Sequence, residues 1–214
     1  MKRLRVGVLA SGRGSNLQAI IDRSKAGEID VEVAVVVSDV PDSHALERAR
    51  EAGIPAVYGP PGPFRTKLTP EAETEYAAAL EGFGVQLVAL AGFMRILHAT
   101  FLDRFAGRVV NIHPSLLPSF PGLRAQQQAL DYGVKWSGAT VHFVNAGVDA
   151  GPVILQAAVP VQDGDTAESL AARILREEHR IYPEALQLIV EGRVVVEGRR
   201  VRILPRRVSR STRP

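Results

Sequence analysis

The chain has no cysteine among its 214 residues, two methionines, one tryptophan, and aromatic residues amount to only 6% of it. Without thiols there is no disulfide, no thiolate metal site and no cysteine nucleophile. No apolar run reaches membrane-spanning length, and Met1-Lys2-Arg3 leads straight into the apolar stretch Leu4 to Ala10 rather than into a secretory signal. A cytoplasmic protein without a membrane partner is the expectation. A Gly-x-Ser-x-Gly elbow is missing too, which removes the strand-turn-helix arrangement that exposes a nucleophilic serine.

Charge of one sign is also scarce: 26 basic residues stand against 23 acidic ones, a formal net charge of +3. Arg206, Arg207, Arg210 and Arg213 lie in a terminal stretch with Pro205, Ser209, Ser211 and Pro214 and no acidic residue. Taking those four charges from +3 leaves −1 for the rest, so the body of the chain is not a basic, nucleic-acid-binding surface. Residues 205–214 read as a solvated basic tail. With 46% hydrophobic residues, the remaining 204 positions suffice for one domain with a sizeable core.

What the chain does have is an alternation of strand and helix patterns. Val31 to Val37, Val85 to Ala91 and Val109 to Ile112 are mostly apolar runs that read as buried strands, with Ala56 to Tyr58 a shorter one. Ser43 to Ala52, Pro70 to Leu80 and Thr166 to Val190 carry helical patterns, the last opening on a Thr166 cap. Ala139 to Val144 and Val153 to Pro160 extend the strand set, and Val194 to Glu197 with Arg200 to Leu204 read as a hairpin around Gly198. This order predicts an α/β fold, a mostly parallel twisted sheet with helices on both faces.

Within it, Leu4 to Ala10, the turn Ser11-Gly12-Arg13-Gly14-Ser15-Asn16, and Leu17, Ile20 and Ile21 at helical spacing form a strand, a glycine-rich turn and a helix start. Free amides at a helix N-terminus attract an anion, and glycine lets the backbone approach it closely. Asn16 offers a side-chain donor or a helix cap. The spacing is neither a full dinucleotide fingerprint nor an NTPase loop, so a phosphomonoester such as a ribose 5-phosphate suits it better.

A second constellation is Asn111-Ile112-His113-Pro114-Ser115, with Asp149 further on in Asn145-Ala146-Gly147-Val148-Asp149-Ala150-Gly151. Alternation along a strand puts Asn111 and His113 on one side and Ile112 on the other. An amide to meet an oxyanion, an imidazole to move a proton and a carboxylate to hold that imidazole charged suit attack on a carbonyl group. Pro114, Pro118 and Pro121 stop a helix and stiffen the loop that follows. Ligands in such sheets bind beyond the carboxyl ends of the strands, which gathers both constellations into one cleft.

Asn111 to Gly122 resembles the signature of the folate-dependent formyltransferases, and Ser137 to Gln156 resembles their second signature. Ala10 to Ile20 narrows the resemblance to the phosphoribosylglycinamide formyltransferase family, over about Leu4 to Val196. That resemblance implies a Rossmann-like formyltransferase fold in one catalytic domain, 1–204. It implies transfer of the formyl group of 10-formyltetrahydrofolate, a co-substrate, to the amine of glycinamide ribonucleotide, with no metal. His113, Asn111 and Asp149 match the catalytic set. Gly14, Ser15 and Asn16 match the positions that hold the nucleotide phosphate, and Glu178 an acidic position at the ribose. Met94, Arg95, Ile96 and Leu97 match the pterin-lining segment, and Val144, Asn145 and Val148 the loop beside it. An arginine common in the family before the Pro70 helix has no clear match; Arg65 and Lys67 are the candidates, with Lys67 favoured, a point charge without the arginine fork. Oligomeric state stays open, a homodimer among the options.

Plainer roles stand beside these. His44, His98 and His179 read as surface residues, and His142 as a strand histidine with a structural or a supporting role. Tyr132 and Trp136 read as fold contacts rather than base-stacking platforms. Three other functions compete. A methionyl-tRNA formyltransferase needs a separate RNA-binding domain, for which the stretch after Val196 leaves no room. A formyltetrahydrofolate hydrolase carries an additional amino-terminal domain, whereas the first strand here begins at Leu4. A non-catalytic nucleotide-binding protein needs only the Ser11 to Asn16 turn.

Overall fold

The computed structural model describes residues 3–206. Of the expected basic tail, residues 207–214 lie outside the described residues, whereas Arg206 lies within them and meets Glu191 at 3.1 Å.

The mostly apolar runs are strands: β1 (Leu4–Leu9), β2 (Val31–Ser38), β3 (Ala56–Tyr58), β4 (Leu87–Leu90), β5 (Val109–His113), β6 (Trp136–Phe143) and β7 (Val153–Pro160). They form one sheet in the order β3-β2-β1-β4-β5-β6-β7, with β1 to β5 parallel, β6 antiparallel to β5, and β7 antiparallel to β6. The helices are α1 (Ser15–Lys25), α2 (His44–Glu51), α3 (Pro70–Gly82), α4 (Ala99–Leu102), α5 (Ala125–Tyr132) and α6 (Ala167–Val190). The expected hairpin is present as β8 (Val194–Glu197) and β9 (Arg200–Ile203).

Alternating strand residues feed two cores. Val6, Val8, Val110 and Ile112 pack with Leu17 and Ile20 of α1 and Leu170, Ile174 and Leu186 of α6. Leu9, Val35, Val88 and Val109 pack with Tyr76 and Leu80 of α3 and with Phe101 and Phe105. Each fully buried aliphatic side chain contributes about 1.5–3 kcal/mol, so both faces of the central strands are covered and an unbroken apolar run is what those strands require. The long helix α6 opens on a reciprocal cap between Thr166 and Ser169.

Two helices were not foreshadowed. α4 is one turn whose start is held by a distant side chain: the buried Glu73 carboxylate accepts from the amides of His98 and Phe101 at 2.7 and 3.2 Å. α5 follows Arg124 in the left-handed region, and only its Ala125 and Ala129 are buried, so it carries too little apolar periodicity to be read. Strand β6 starts at Trp136, earlier than the expected Ala139, because its pairing with β7 runs out to Pro160. Tyr132 and Trp136 are 80% and 59% exposed, so neither is a core contact; the Tyr132 ring meets that of Phe120 edge-on.

The chain leaves β1 toward β2 and β3 on one side and returns to β4 and β5 on the other. The carboxyl ends of β1, β4 and β5 therefore lie side by side at the point where strand order reverses, the place where open α/β sheets form clefts.

Candidate active site

At the end of β1 the glycine-rich turn is fixed on two sides. The Ser11 amide donates to the Gly92 carbonyl at 3.2 Å, and the Ser11 hydroxyl accepts from the Met94 amide at 2.9 Å, so this turn is joined to the segment after β4. Gly14 is the N-cap of α1, at φ 68°, and an added Cβ would fall 2.8 Å from the Ala45 backbone. Only glycine combines that left-handed backbone with so close an approach. No side chain caps α1 and its first turn holds no acidic residue, which leaves its amides and the positive end of its dipole to a ligand anion.

Asn16 is not the cap. Its side chain turns the other way and donates to Glu178 of α6 at 2.6 Å, both residues being buried. Burial pushes the Glu178 carboxyl up toward its neutral form, against the opposing pull of the Asn16 amide. The Asn16 carbonyl oxygen is buried and has no partner among the described residues. One turn on, the Tyr182 hydroxyl bridges the carbonyls of Leu90 and Val110 at 2.9 and 3.2 Å, which pins this part of α6 across β4 and β5. His179 differs from the surface position expected of it: it is half-buried, its Nε2 lacks a partner among the described residues, and burial lowers its pKa. His98 keeps an exposed ring but is tied by Nδ1 to Glu73, and His44 is exposed.

At the end of β5, Asn111 and His113 do share one side of the strand and Ile112 enters the core. The partner strand adds His142 opposite Asn111 and Thr140 opposite His113. Asp149 closes the group: its Oδ2 lies 3.3 Å from His113 Nδ1 and accepts from the Gly122 amide at 2.8 Å, while its Oδ1 lies 3.5 Å from Asn111 Nδ2 and 3.6 Å from His142 Nε2. Asp149 takes a left-handed backbone, φ 49°, which aspartate tolerates better than most residues. Two residues on, a Cβ at Gly151 would meet the Phe143 carbonyl at 1.7 Å, so only glycine lets this loop fold back against the end of β6.

The electrostatics reverse one expectation. His113 is 5% exposed, and burial lowers its pKa below the ordinary histidine value, outweighing the Phe120 carbonyl and the Asp149 carboxylate that favour its charged form; His142 adds to the lowering. The ring is therefore neutral near pH 7 rather than held protonated by Asp149. For Asp149, burial alone would raise the pKa, but the neighbouring His142 and His113 imidazoles, with donation from the Gly122 amide, leave it below the usual carboxylate range. A neutral ring carries one N–H. Its Nε2 is 2.9 Å from the Phe120 carbonyl, which only accepts, whereas the Asp149 contact at Nδ1 is longer. The shorter contact favours Nε2 as the place of that proton, with Nδ1 set against Asp149 Oδ2.

His142 is the residue that sequence reasoning undervalued. It is 2% exposed, its Nδ1 lies 2.8 Å from its own strand's Phe143 carbonyl, and its Nε2 is 3.3 Å from Asn111 Nδ2. Only the strand register, which residue types do not encode, puts it there.

The segment 94–97, expected to line a pterin, lies beside the glycine-rich turn. Met94 and Ile96 are 58% and 41% exposed, Leu97 is buried, and Arg95 turns inward to pair with Asp39 at 2.6 Å and with the Phe64 carbonyl. Lys67 forms an isolated parallel bridge with Ile96, and its ammonium sits 4.5 Å from the centre of the Phe64 ring. Arg65 is exposed. In the loop after β6, Val144 is half-buried, Asn145 accepts from the Gly147 amide at 3.0 Å, and Val148 is 54% exposed. No group of three or more His, Asp or Glu side chains among the described residues is placed to hold a metal ion.

Comparison with known proteins agrees with this architecture. The family described as formyl transferase matches residues 4–186. The chain is 45% identical to the phosphoribosylglycinamide formyltransferase of Escherichia coli (strain K12) over 187 residues, 87% of each chain. It is 47% identical to the trifunctional purine biosynthetic protein adenosine-3 of Drosophila melanogaster over 91% of its own length, and spans only 14–19% of the trifunctional relatives it matches. The crystal structure of glycinamide ribonucleotide transformylase 1 from Symbiobacterium toebii superposes with a TM-score of 0.91 at 56% identity, covering 95% of both chains. The chain belongs to the formyl transferase family.

Proposed function

We propose that this chain transfers the formyl group of 10-formyltetrahydrofolate to the amine of glycinamide ribonucleotide, giving formylglycinamide ribonucleotide and tetrahydrofolate, as a purine-biosynthetic enzyme of the cytoplasm. Residues 1–204 are read as one catalytic domain and 205–214 as a basic tail. The two small molecules are its partners, without nucleic acid; no helix among the described residues is long and apolar enough to cross a membrane. The observation that carries this reading is the His113, Asn111 and Asp149 group at the end of β5, two strands from the uncapped helix start that follows β1.

In this reading the nucleotide phosphate rests on the amides of Gly14, Ser15 and Asn16, with Glu178 at the ribose. The folate enters between Met94, Arg95, Ile96 and Leu97 on one side and Val144, Asn145 and Val148 on the other, with Lys67 near its carboxylates. The neutral amine adds to the formyl carbon, and Asn111 donates to the oxygen that becomes negative. His113 Nδ1 takes the proton released by the new ammonium. The imidazolium so formed is stabilised by ionised Asp149 and hands that proton to the departing folate nitrogen as the carbon–nitrogen bond breaks and the carbonyl reforms. Holding both substrates in one cleft removes the entropic cost of their encounter during the reaction.

The test is formyl transfer measured with and without glycinamide ribonucleotide in the parent and in His113→Ala. Folate product that depends on the nucleotide, and falls about 10²–10⁴-fold in the variant, is expected. Product formed equally without nucleotide identifies a hydrolase instead, and full activity in His113→Ala removes the imidazole from the mechanism.

A further inference from the structure

The loop from Ser115 to Phe120 is tied to the sheet by a hydrogen-bond network that lies behind His113 and outside the cleft residues named above. The row starts on β5: His113 pairs with Thr140 on β6, and Thr140 pairs with Gln156 on the edge strand β7. The Thr140 hydroxyl, fully buried, donates to the Ser115 carbonyl at 2.7 Å. It accepts from the Leu117 amide at 3.1 Å and from the Gln156 side-chain amide at 2.9 Å. A hydroxyl has one hydrogen and two lone pairs, so every bonding position of this one is used. The Gln156 amide nitrogen has two hydrogens; the second goes to the Leu117 carbonyl at 3.0 Å. Ser115, itself buried, donates through its hydroxyl to the Ser119 carbonyl at 2.5 Å. The next residue, Phe120, is held at φ 54°, a left-handed backbone unfavourable for a phenylalanine, and its carbonyl faces His113 Nε2 at 2.9 Å.

We infer that Thr140 and Gln156 are positioning residues for the proposed proton transfer: by clamping the Ser115 to Phe120 loop they hold the Phe120 carbonyl against His113 Nε2, which fixes the ring with Nδ1 beside Asp149. The inference rests on the role proposed for His113. Neither residue needs to touch a substrate. Removing the hydroxyl leaves the Ser115 carbonyl, the Leu117 amide and one Gln156 hydrogen without partners at once, and the strained Phe120 backbone loses what holds it.

The experiment is steady-state formyl transfer across pH in Thr140→Val, Thr140→Ser and Gln156→Leu beside His113→Ala. Thr140→Val is expected to lower kcat about 10- to 100-fold with both KM values unchanged, a size usual when the orientation of a reacting group is loosened. The acid limb of its kcat profile is expected at lower pH, because the Phe120 carbonyl favours the charged ring. Thr140→Ser, which keeps the hydroxyl, is expected to restore kcat, and Gln156→Leu, at an exposed position that leaves the core intact, to give a smaller loss with the same shift. A wild-type kcat and acid limb in Thr140→Val and Gln156→Leu, while His113→Ala is inactive, overturns the inference and leaves the catalytic reading standing. The same holds if the loss appears in KM, or if the serine variant is as impaired as the valine. Full activity in His113→Ala removes the reading beneath it. If Thr140→Val does not fold, Gln156→Leu decides alone.

Discussion

The glycine-rich turn after β1 and the histidine centre after β5 sit at nearby strand ends, yet they are made of opposite materials. The turn is backbone: an uncapped helix start, a left-handed Gly14 pressed against Ala45, and amides left open. All of its parts fall within a few consecutive residues. The histidine centre is side chain and long range: Asn111 and His113 come from β5, His142 from β6, Asp149 from a loop after it, and the Gly122 amide and Phe120 carbonyl from the proline-rich loop. A backbone site binds an anion with little dependence on the solvent or on titration. A side-chain site can shift its protons, and its chemistry depends on how deeply it is buried.

That contrast can be broken first where the effect is largest. Asn111→Leu removes the amide expected to meet the oxyanion and should lower kcat about 10²–10³-fold while nucleotide affinity, measured by calorimetry, stays close to that of the parent. An equal loss of nucleotide affinity would mean that the two regions are not separable. Asn16→Leu should do the reverse. Its partner Glu178 loses a buried donor, and nucleotide binding should weaken about 10-fold or more with kcat at saturation little changed; unchanged affinity would remove the Asn16–Glu178 pair from the nucleotide site. The smallest effect belongs to the rim. Lys67→Ala, which removes an ammonium that sits over the Phe64 ring on an exposed residue, should raise the KM for formylfolate a few fold, on the order of 1 kcal/mol or less, and the rise should shrink with added salt.

The same contrast explains what could be read from the residues alone. The sheet was legible because Val33–Val37 and Leu87–Leu90 are apolar throughout, as strands covered on both faces must be. The turn was legible because glycine at a strand-to-helix junction has few other uses. Asn111, His113 and Asp149 came from motif resemblance together with their chemistry, and the alternation along β5 correctly put the first two on one side. The protonation state was not legible. A carboxylate neighbour argues for a charged ring, but how much burial opposes it depends on atoms from several distant segments. Nor was the row His113, Thr140, Gln156, since strand register is set by tertiary packing rather than by the residues in the row. α4 escaped because a carboxylate far away in sequence, Glu73, holds its start.

The account turns on an imidazole that is neutral at rest and accepts its proton during the reaction. Nuclear magnetic resonance titration of the His113 ring in the free, full-length protein, assigned by comparison with His113→Ala, tests this directly. The midpoint is expected below the ordinary histidine value of about 6.5, with the proton of the neutral form on Nε2. A midpoint clearly above that value, with both nitrogens protonated at pH 7, would contradict it.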